Sequence, residues 1–209
     1  MPPKLFAWPI KPYTVNQPWG RFDAIYQRFG FSWHNGIDLA LSPDHKIYAP
    51  FDYTVVRVAT KENGKWQPNG GGIFIGLISE PIAFPAFTQT TPQGTVVNFA
   101  AGTYNVLLDM LHLDHPLVQE GQTGKTGDLV AICDNTGFST GPHCHTQWRR
   151  VLWDGTTITP VDKNEANNSF DPTPFFDGSF AVDVPRSIVI YTQLVAALTA
   201  LWNRIKPQS

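Results

Sequence analysis

Four short runs of β-branched and aromatic residues set the first constraint on this chain: Tyr53 to Val58, Gly72 to Ile78, Thr103 to Leu108 and Leu129 to Ile132. Each is bounded by Gly, Pro, Asn or Asp, residues that turn or break a strand. Together they predict a mainly β protein built on an antiparallel sheet. The one segment with a sustained helical period lies at the C-terminus. At 209 residues the chain suits one substantial domain with appendages. Its 18 Pro, 17 Gly and 13% aromatic share fit a turn-rich β protein whose aromatics face sugar or peptide.

Three regions follow along the chain. Residues 1–33 carry no period and read as an N-terminal arm. Residues 34–176 form the core, which closes at Asp171-Pro172-Thr173-Pro174. Residues 177–209 are a linker and an amphipathic helix. In that helix Ile188, Tyr191, Val195, Leu198, Trp202 and Ile205 alternate in steps of three and four, with Asp183 as cap and Pro185 in the first turn. Such a stripe has to be covered, either by the chain's own domain or, as we expect, by copies of itself or a partner protein. It is not a membrane span, because Gln193, Thr199, Asn203 and Arg204 interrupt it. Between the second and third strand runs, residues 81–102 make a connection longer than most and so either functional or mobile.

A net charge of −2 argues against non-specific nucleic-acid binding, which needs a basic surface. The N-terminus lacks the apolar stretch and cleavage site of a signal peptide. Cys133 and Cys144, the only cysteines, sit in apolar runs and are expected as buried free thiols.

The chemistry concentrates in the histidines. His143 and His145 are two apart, so on a strand both imidazoles face one side while Cys144 faces the other. That pair alone could hold a metal, move protons or merely sit on a polar face. A second group, His34-Asn35-Gly36-Ile37-Asp38, places a turn at Asn35-Gly36 that can bring His34 back beside Asp38. Two imidazoles and a carboxylate are the three protein ligands of a catalytic zinc site whose fourth position stays open. His112, in Met110-Leu111-His112-Leu113-Asp114, stands where the third run ends.

At these residues the chain resembles the lysostaphin/LytM-type zinc metallopeptidases, which cut peptidoglycan peptides. The stretch "HNGIDLA" matches the family's His-x-x-x-Asp motif, "MLHLD" its Tyr-x-His-Leu-like element, "GFSTGPHCH" its "G--STGPH-H" signature and Asp171-Pro172 its closing Asp-Pro. The resemblance covers roughly residues 8 to 176, with the motifs in the family's order. It implies a lysostaphin-like fold of the duplicated hybrid motif type with long loops. It implies that His34, Asp38 and His145 bind zinc, and that His112 and His143 flank the attacking water and serve as acid–base groups.

This chain departs from the pattern at Cys144, at Thr146-Gln147-Trp148 where Phe-Glu commonly follows the histidines, and at Met110 where a tyrosine is usual. The expected function is zinc-dependent hydrolysis of amide bonds in peptidoglycan, at the bacterial wall, by a virion-associated or extracellular protein. The N-terminal "VNQPWGRFDAIYQRFGFSWHNGID" looks like phage and metagenomic members, and that likeness implies a phage tail partner for the C-terminal helix. The alternative is an inactive domain of the same fold, acting as a virion structural or wall-binding module. Residues 81–102 are expected to form one wall of the cleft.

Overall fold

The computed structural model of the protein describes residues 3–11, 13–162 and 168–180. The C-terminal helix expected over Pro185 to Ile205 lies outside the described residues. The strands, in chain order, begin with β1 (Phe6–Trp8), β2 (Val15–Gln17), β3 (Ile37–Leu39), β4 (Lys46–Tyr48) and β5 (Tyr53–Ala59). Next come β6 (Ile73–Ser79), β7 (Ile82–Phe84), β8 (Phe87–Thr90), β9 (Val96–Phe99) and β10 (Gly102–Pro116). The rest are β11 (Thr123–Gly124), β12 (Leu129–Cys133), β13 (Cys144–Trp153), β14 (Ile158–Pro160) and β15 (Phe176–Phe180). All four runs singled out above are strands.

An 11-stranded sheet carries the molecule, with the path β11-β5-β6-β10-β13-β3-β2; β12 and β7 pair with β10, β14 with β13 and β4 with β12. Its pairings are antiparallel. The longest strands, β10 and β13, lie side by side in its middle, so a residue on either has neighbours on both flanks. Alternation then sorts their side chains. Met110, Leu108 and Trp148 are fully buried on the core side, where Trp148 meets Phe6, Phe51 and Phe176 at ring-centroid distances of 5.0, 5.9 and 5.6 Å.

The arm is sewn into this core. Phe6, Trp8, Ile10 and Trp19 are buried, and β1 pairs in parallel with β15. Farther on, Asp23 caps a short 3₁₀ helix, Ala24–Phe29, by accepting from the Ile25 amide, and Gly30 ends it with φ 78°.

The 81–102 connection is ordered β structure, and the expectation that it walls the cleft is corrected. Strand β7 pairs with the start of β10, and β8 and β9 form a hairpin in which Phe87 stacks on Phe99 with centroids 4.5 Å apart. None of its residues lines the cleft described below. The phenylalanines that suggested a wall pack instead on Phe170 and Phe175. The segment supports the arm from behind: Thr91 lies so close to Gly20 (φ 79°) that a Cβ there would come within 2.9 Å of its methyl.

Candidate metal centre and catalytic cleft

Two strands and the turn before one of them deliver the central donors. Cross-strand pairing sets His145 of β13 opposite Asp38 of β3 on one flank and opposite Leu111 of β10 on the other. His34 precedes β3 by one turn, and the His34 ring faces both residues. The distances are 2.9 Å from His34 Nε2 to His145 Nδ1, 2.9 Å from His145 Nδ1 to Asp38 Oδ1 and 3.1 Å from His34 Nε2 to Asp38 Oδ1. Gly36 is what allows the turn: a Cβ there would sit 2.3 Å from the Thr146 carbonyl oxygen and 2.8 Å from His145 Nε2. Glycine at position 36 is thus demanded by close packing.

The donor set fits a metal ion. His34 Nδ1 lies 3.0 Å from the Pro18 carbonyl, so it carries the proton and Nε2 presents a lone pair to the other two donors. One proton on His145 Nδ1 cannot serve all three edges of this triangle; a cation at its centre can. Tetrahedral zinc with nitrogen and oxygen ligands near 2.1 Å sets them about 3.4 Å apart, a small expansion of what is seen. Among the described residues these three form the group of His, Cys, Asp and Glu side chains able to hold an ion. Burial alone would raise the Asp38 pKa, but its close contacts with His145 and His34 outweigh it and hold the carboxyl well below its usual range. Burial also lowers the pKa of His145, favouring the neutral ligand form.

His112 and His143 line the same cleft, their ring centroids 4.8 Å apart. Both rings turn the same nitrogen to a backbone carbonyl. His112 Nδ1 donates to the Thr136 carbonyl at 2.8 Å and His143 Nδ1 to the Gly141 carbonyl at 2.8 Å, which leaves Nε2 of each as the acceptor. His143 Nε2 stands 3.6 Å from Asp38 Oδ1. His112 is aimed by a bulge in β10: the register with β6 shifts between Met110 and Leu113, and His112 adopts a left-handed φ of 63°. A non-glycine residue held there costs about 1–3 kcal/mol. Its amide donates to the Gly71 carbonyl and its carbonyl accepts from the Asp134 amide, which keep the bulge in place. Burial, with His145 nearby, lowers the His112 pKa to about 4, so the ring is neutral at neutral pH.

The cleft, about 670 Å³, takes its lining from the loop before β6, which supplies Gln67, Gly70 and Gly71, and from three further sources. The sheet supplies a floor of Arg57, Phe74, Asp109, Leu111, Gln147 and Arg149; the loop before β13 supplies Phe138, Ser139 and Thr140; the arm supplies Gln17, Asp23, Tyr26, Phe29 and Phe31. Tyr26 stands beside His34, ring centroids 5.3 Å apart, and burial followed by the Asp38 charge raises its pKa to about 12. The hydroxyl therefore keeps its proton.

All five histidine and aspartate positions named from sequence meet here. His115 is exposed and pairs with Asp114, and His45 lies outside the cleft lining. Cys133 and Cys144 are buried free thiols, as expected, and burial raises the Cys144 pKa. Sequence reasoning missed the arm's contribution and the floor charges. Two signals for the latter were available: Gln147 and Arg149 continue the His145 face at period two, and Asp109 is a charge inside an otherwise apolar strand, which demands a partner.

No protein-family model matches the chain. The chain is similar to a curated protein of Haemophilus influenzae described as "Uncharacterized metalloprotease", 30% identical over 128 residues. The match covers 61% of this chain, which spans only 20% of that protein. Among solved structures, the catalytic domain of the peptidase lysostaphin from Staphylococcus simulans is 20% identical over 78% of this chain and 91% of its own, with a TM-score of 0.48. LytU is 23% identical over 79% of this chain and 86% of its own, at a TM-score of 0.49. A zinc-containing peptidase from Vibrio cholerae is 22% identical over 75% of this chain and 38% of its own, at 0.47.

Proposed function

We propose that this chain is a zinc-dependent endopeptidase that hydrolyses amide bonds in the peptides of bacterial peptidoglycan, with His34, Asp38 and His145 as ligands and His112 and His143 as acid–base groups. The observation that carries the reading is the convergence of three donor atoms within 2.9–3.1 Å of one another beside two further histidines whose Nε2 atoms are the acceptors. The relative described as a metalloprotease supports peptidase chemistry, and the four matched motifs support the wall peptide as substrate.

When bound, zinc supplies a Lewis acid that polarises the scissile carbonyl and makes water acidic enough to attack near neutral pH. The chain's own groups do the rest. Neutral Nε2 of His143 or His112 accepts the proton of the attacking water, and the same ring returns it to the departing amine nitrogen. Each Nδ1–H bond to a backbone carbonyl holds its ring in the tautomer this needs and stabilises the imidazolium formed. General acid–base groups of this kind contribute typically about 10²–10⁴-fold. The Tyr26 hydroxyl, protonated and at the cleft wall, is a donor for the oxygen on which charge develops. An inactive binding module would be expected to lack a ligand or a cleft histidine, and all five are present.

The test is elemental analysis of protein purified without chelator and then offered zinc, with mass spectrometry of fragments released from purified sacculi. About one zinc per chain and new amine termini within wall peptides are expected. A protein that binds no zinc, or releases no peptide-cleaved fragment when loaded, overturns the reading.

A further inference from the structure

One row across the sheet floor is charged, and the acid–base chemistry leaves it unused. Register places Arg57 of β5 opposite Gly76 of β6, Gly76 opposite Asp109 of β10, and Asp109 opposite Gln147 of β13. Gly76 is a passage: a Cβ there would lie 2.5 Å from Arg57 Cγ and 2.8 Å from its Nε, so the arginine crosses the sheet where a side chain is missing. Arg57 Nε reaches to 3.4 Å from Asp109 Oδ1, while Arg149 Nη2 bonds Asp109 Oδ2 from the other side. The row therefore holds two guanidinium groups against one carboxylate, a surplus of one positive charge.

Among the described residues, two of its donors also make no hydrogen bond, and Asp109 Oδ1 has only the 3.4 Å contact with Arg57. Gln147 is 6% exposed and its Nε2 has no hydrogen-bond partner among the described residues; Arg149 Nε has none either. Leaving a buried donor unsatisfied costs about 1–3 kcal/mol, a cost that a ligand offering acceptors removes. Arg57, Asp109, Gln147 and Arg149 all line the cleft that contains the metal centre. The row of Leu111, His145 and Asp38 is the next one along the strands, two residues or about 7 Å away. An extended peptide lying on the floor has the same repeat.

We propose that Arg57, Arg149 and Gln147 form a subsite for a substrate carboxylate, so that the peptide cut by this chain carries a free carboxylate within about two residues of the scissile bond. The proposal rests on the peptidase reading for its scissile bond. A neutral carbonyl could occupy the two orphan donors, but only an anion also balances the surplus charge. Asp109 acts as a positioning residue: it holds Arg149 flat along the floor and prevents the two guanidinium groups from folding back into solvent.

The test uses the metal-loaded full chain and two synthetic wall stem peptides that are identical except that one has free carboxylates and the other carboxamides. Calorimetry reads affinity and chromatography reads cleavage. The carboxylate form is expected to bind about tenfold or more tighter, the scale of a hydrogen bond to a charged group, and the preference should shrink as salt rises. Arg57→Gln, at a half-exposed position, should remove most of it. Arg149→Gln leaves the buried Asp109 with only the longer Arg57 contact, so Asp109→Asn with Arg149→Gln removes the pair as a unit and should likewise abolish the preference while zinc content stays unchanged.

Equal affinity for the two peptides, binding of neither, or a preference that survives both variants overturns the subsite. A protein that cuts both peptides equally keeps the peptidase reading and loses the subsite. One that binds the carboxylate form selectively and cuts neither keeps the subsite and loses the peptidase reading.

Discussion

Arg149 and Arg150 are neighbours on β13 that face opposite sides of the sheet, and their surroundings differ in one respect: how completely each guanidinium is satisfied. Arg150 is fully buried; its Nε and Nη2 bond Asp162 and its Nη1 donates to the Ala100 carbonyl at 2.6 Å. Its guanidinium carbon lies 4.6 Å from the Tyr104 ring centroid and 5.3 Å from those of Phe87 and Phe99. Arg149 bonds Asp109 and, among the described residues, leaves Nε without a hydrogen-bond partner on a cleft floor. A closed, saturated arginine fastens structure. An open one beside orphan donors waits for a ligand.

The contrast extends along the strand. Thr146 and Trp148, on the Arg150 side, satisfy each other, with the indole nitrogen donating to Thr146 Oγ1 at 3.1 Å and that hydroxyl donating to the Ile37 carbonyl at 3.2 Å. His145 and Gln147, on the Arg149 side, both present ring or amide atoms to the cleft. Substitutions on one face should therefore cost stability, and those on the other should cost chemistry.

The largest effect is expected at the metal centre. His145→Ala should lose bound zinc and wall hydrolysis together, read by elemental analysis and by release of fragments from sacculi. Retention of a full equivalent of zinc would show that the ligand set has been misassigned.

On the opposite face, Arg150→Met should cost about 3–5 kcal/mol in denaturant unfolding, because Asp162 is left buried without its partner. Zinc content of the folded fraction should not change. A loss below about 1 kcal/mol would erase the distinction between the two arginines.

Next in size, His112→Ala and His143→Ala should each lower turnover by about 10²-fold or more while retaining zinc. Either variant stripped of metal would make that histidine a ligand. His112→Ala carries a second expectation, since the left-handed φ of 63° stays strained for alanine and offers no gain in stability.

The smallest effect belongs to Gln147→Leu, which should leave unfolding free energy within about 1 kcal/mol of the parent or raise it, since Nε2 has no hydrogen-bond partner among the described residues to lose. Destabilisation beyond about 2 kcal/mol would mean that the amide is as tightly bound as the groups on the Arg150 face.

Sequence alone determined the elements whose signals are local. The four apolar runs declared themselves as strands because β-branched residues between turn formers have few other uses. His34, Asp38, His112, His143 and His145 stood out because their spacing within three short motifs is itself the geometry: two residues on a strand, one tight turn. Longer-range arrangements had no such signature. The 81–102 segment shows the same phenylalanines whether it walls the cleft or packs behind it, and the choice fell to Phe170, Phe175 and Arg150, which lie about fifty or more residues beyond it or across the sheet. The arm's 3₁₀ helix has no apolar period to mark it, yet Tyr26 and Phe29 enter the cleft.

Tertiary structure alone decided the floor charges. Arg57, Asp109 and Arg149 come from three strands whose order, β5-β6-β10-β13, no residue spacing reports. Their meeting depends on a glycine in the strand between, a position where the sequence shows only an interruption of an apolar run. Local chemistry is written in neighbouring residues because short chain segments have few conformations. Which strands adjoin is settled by the burial of the whole sheet, a sum over the entire chain.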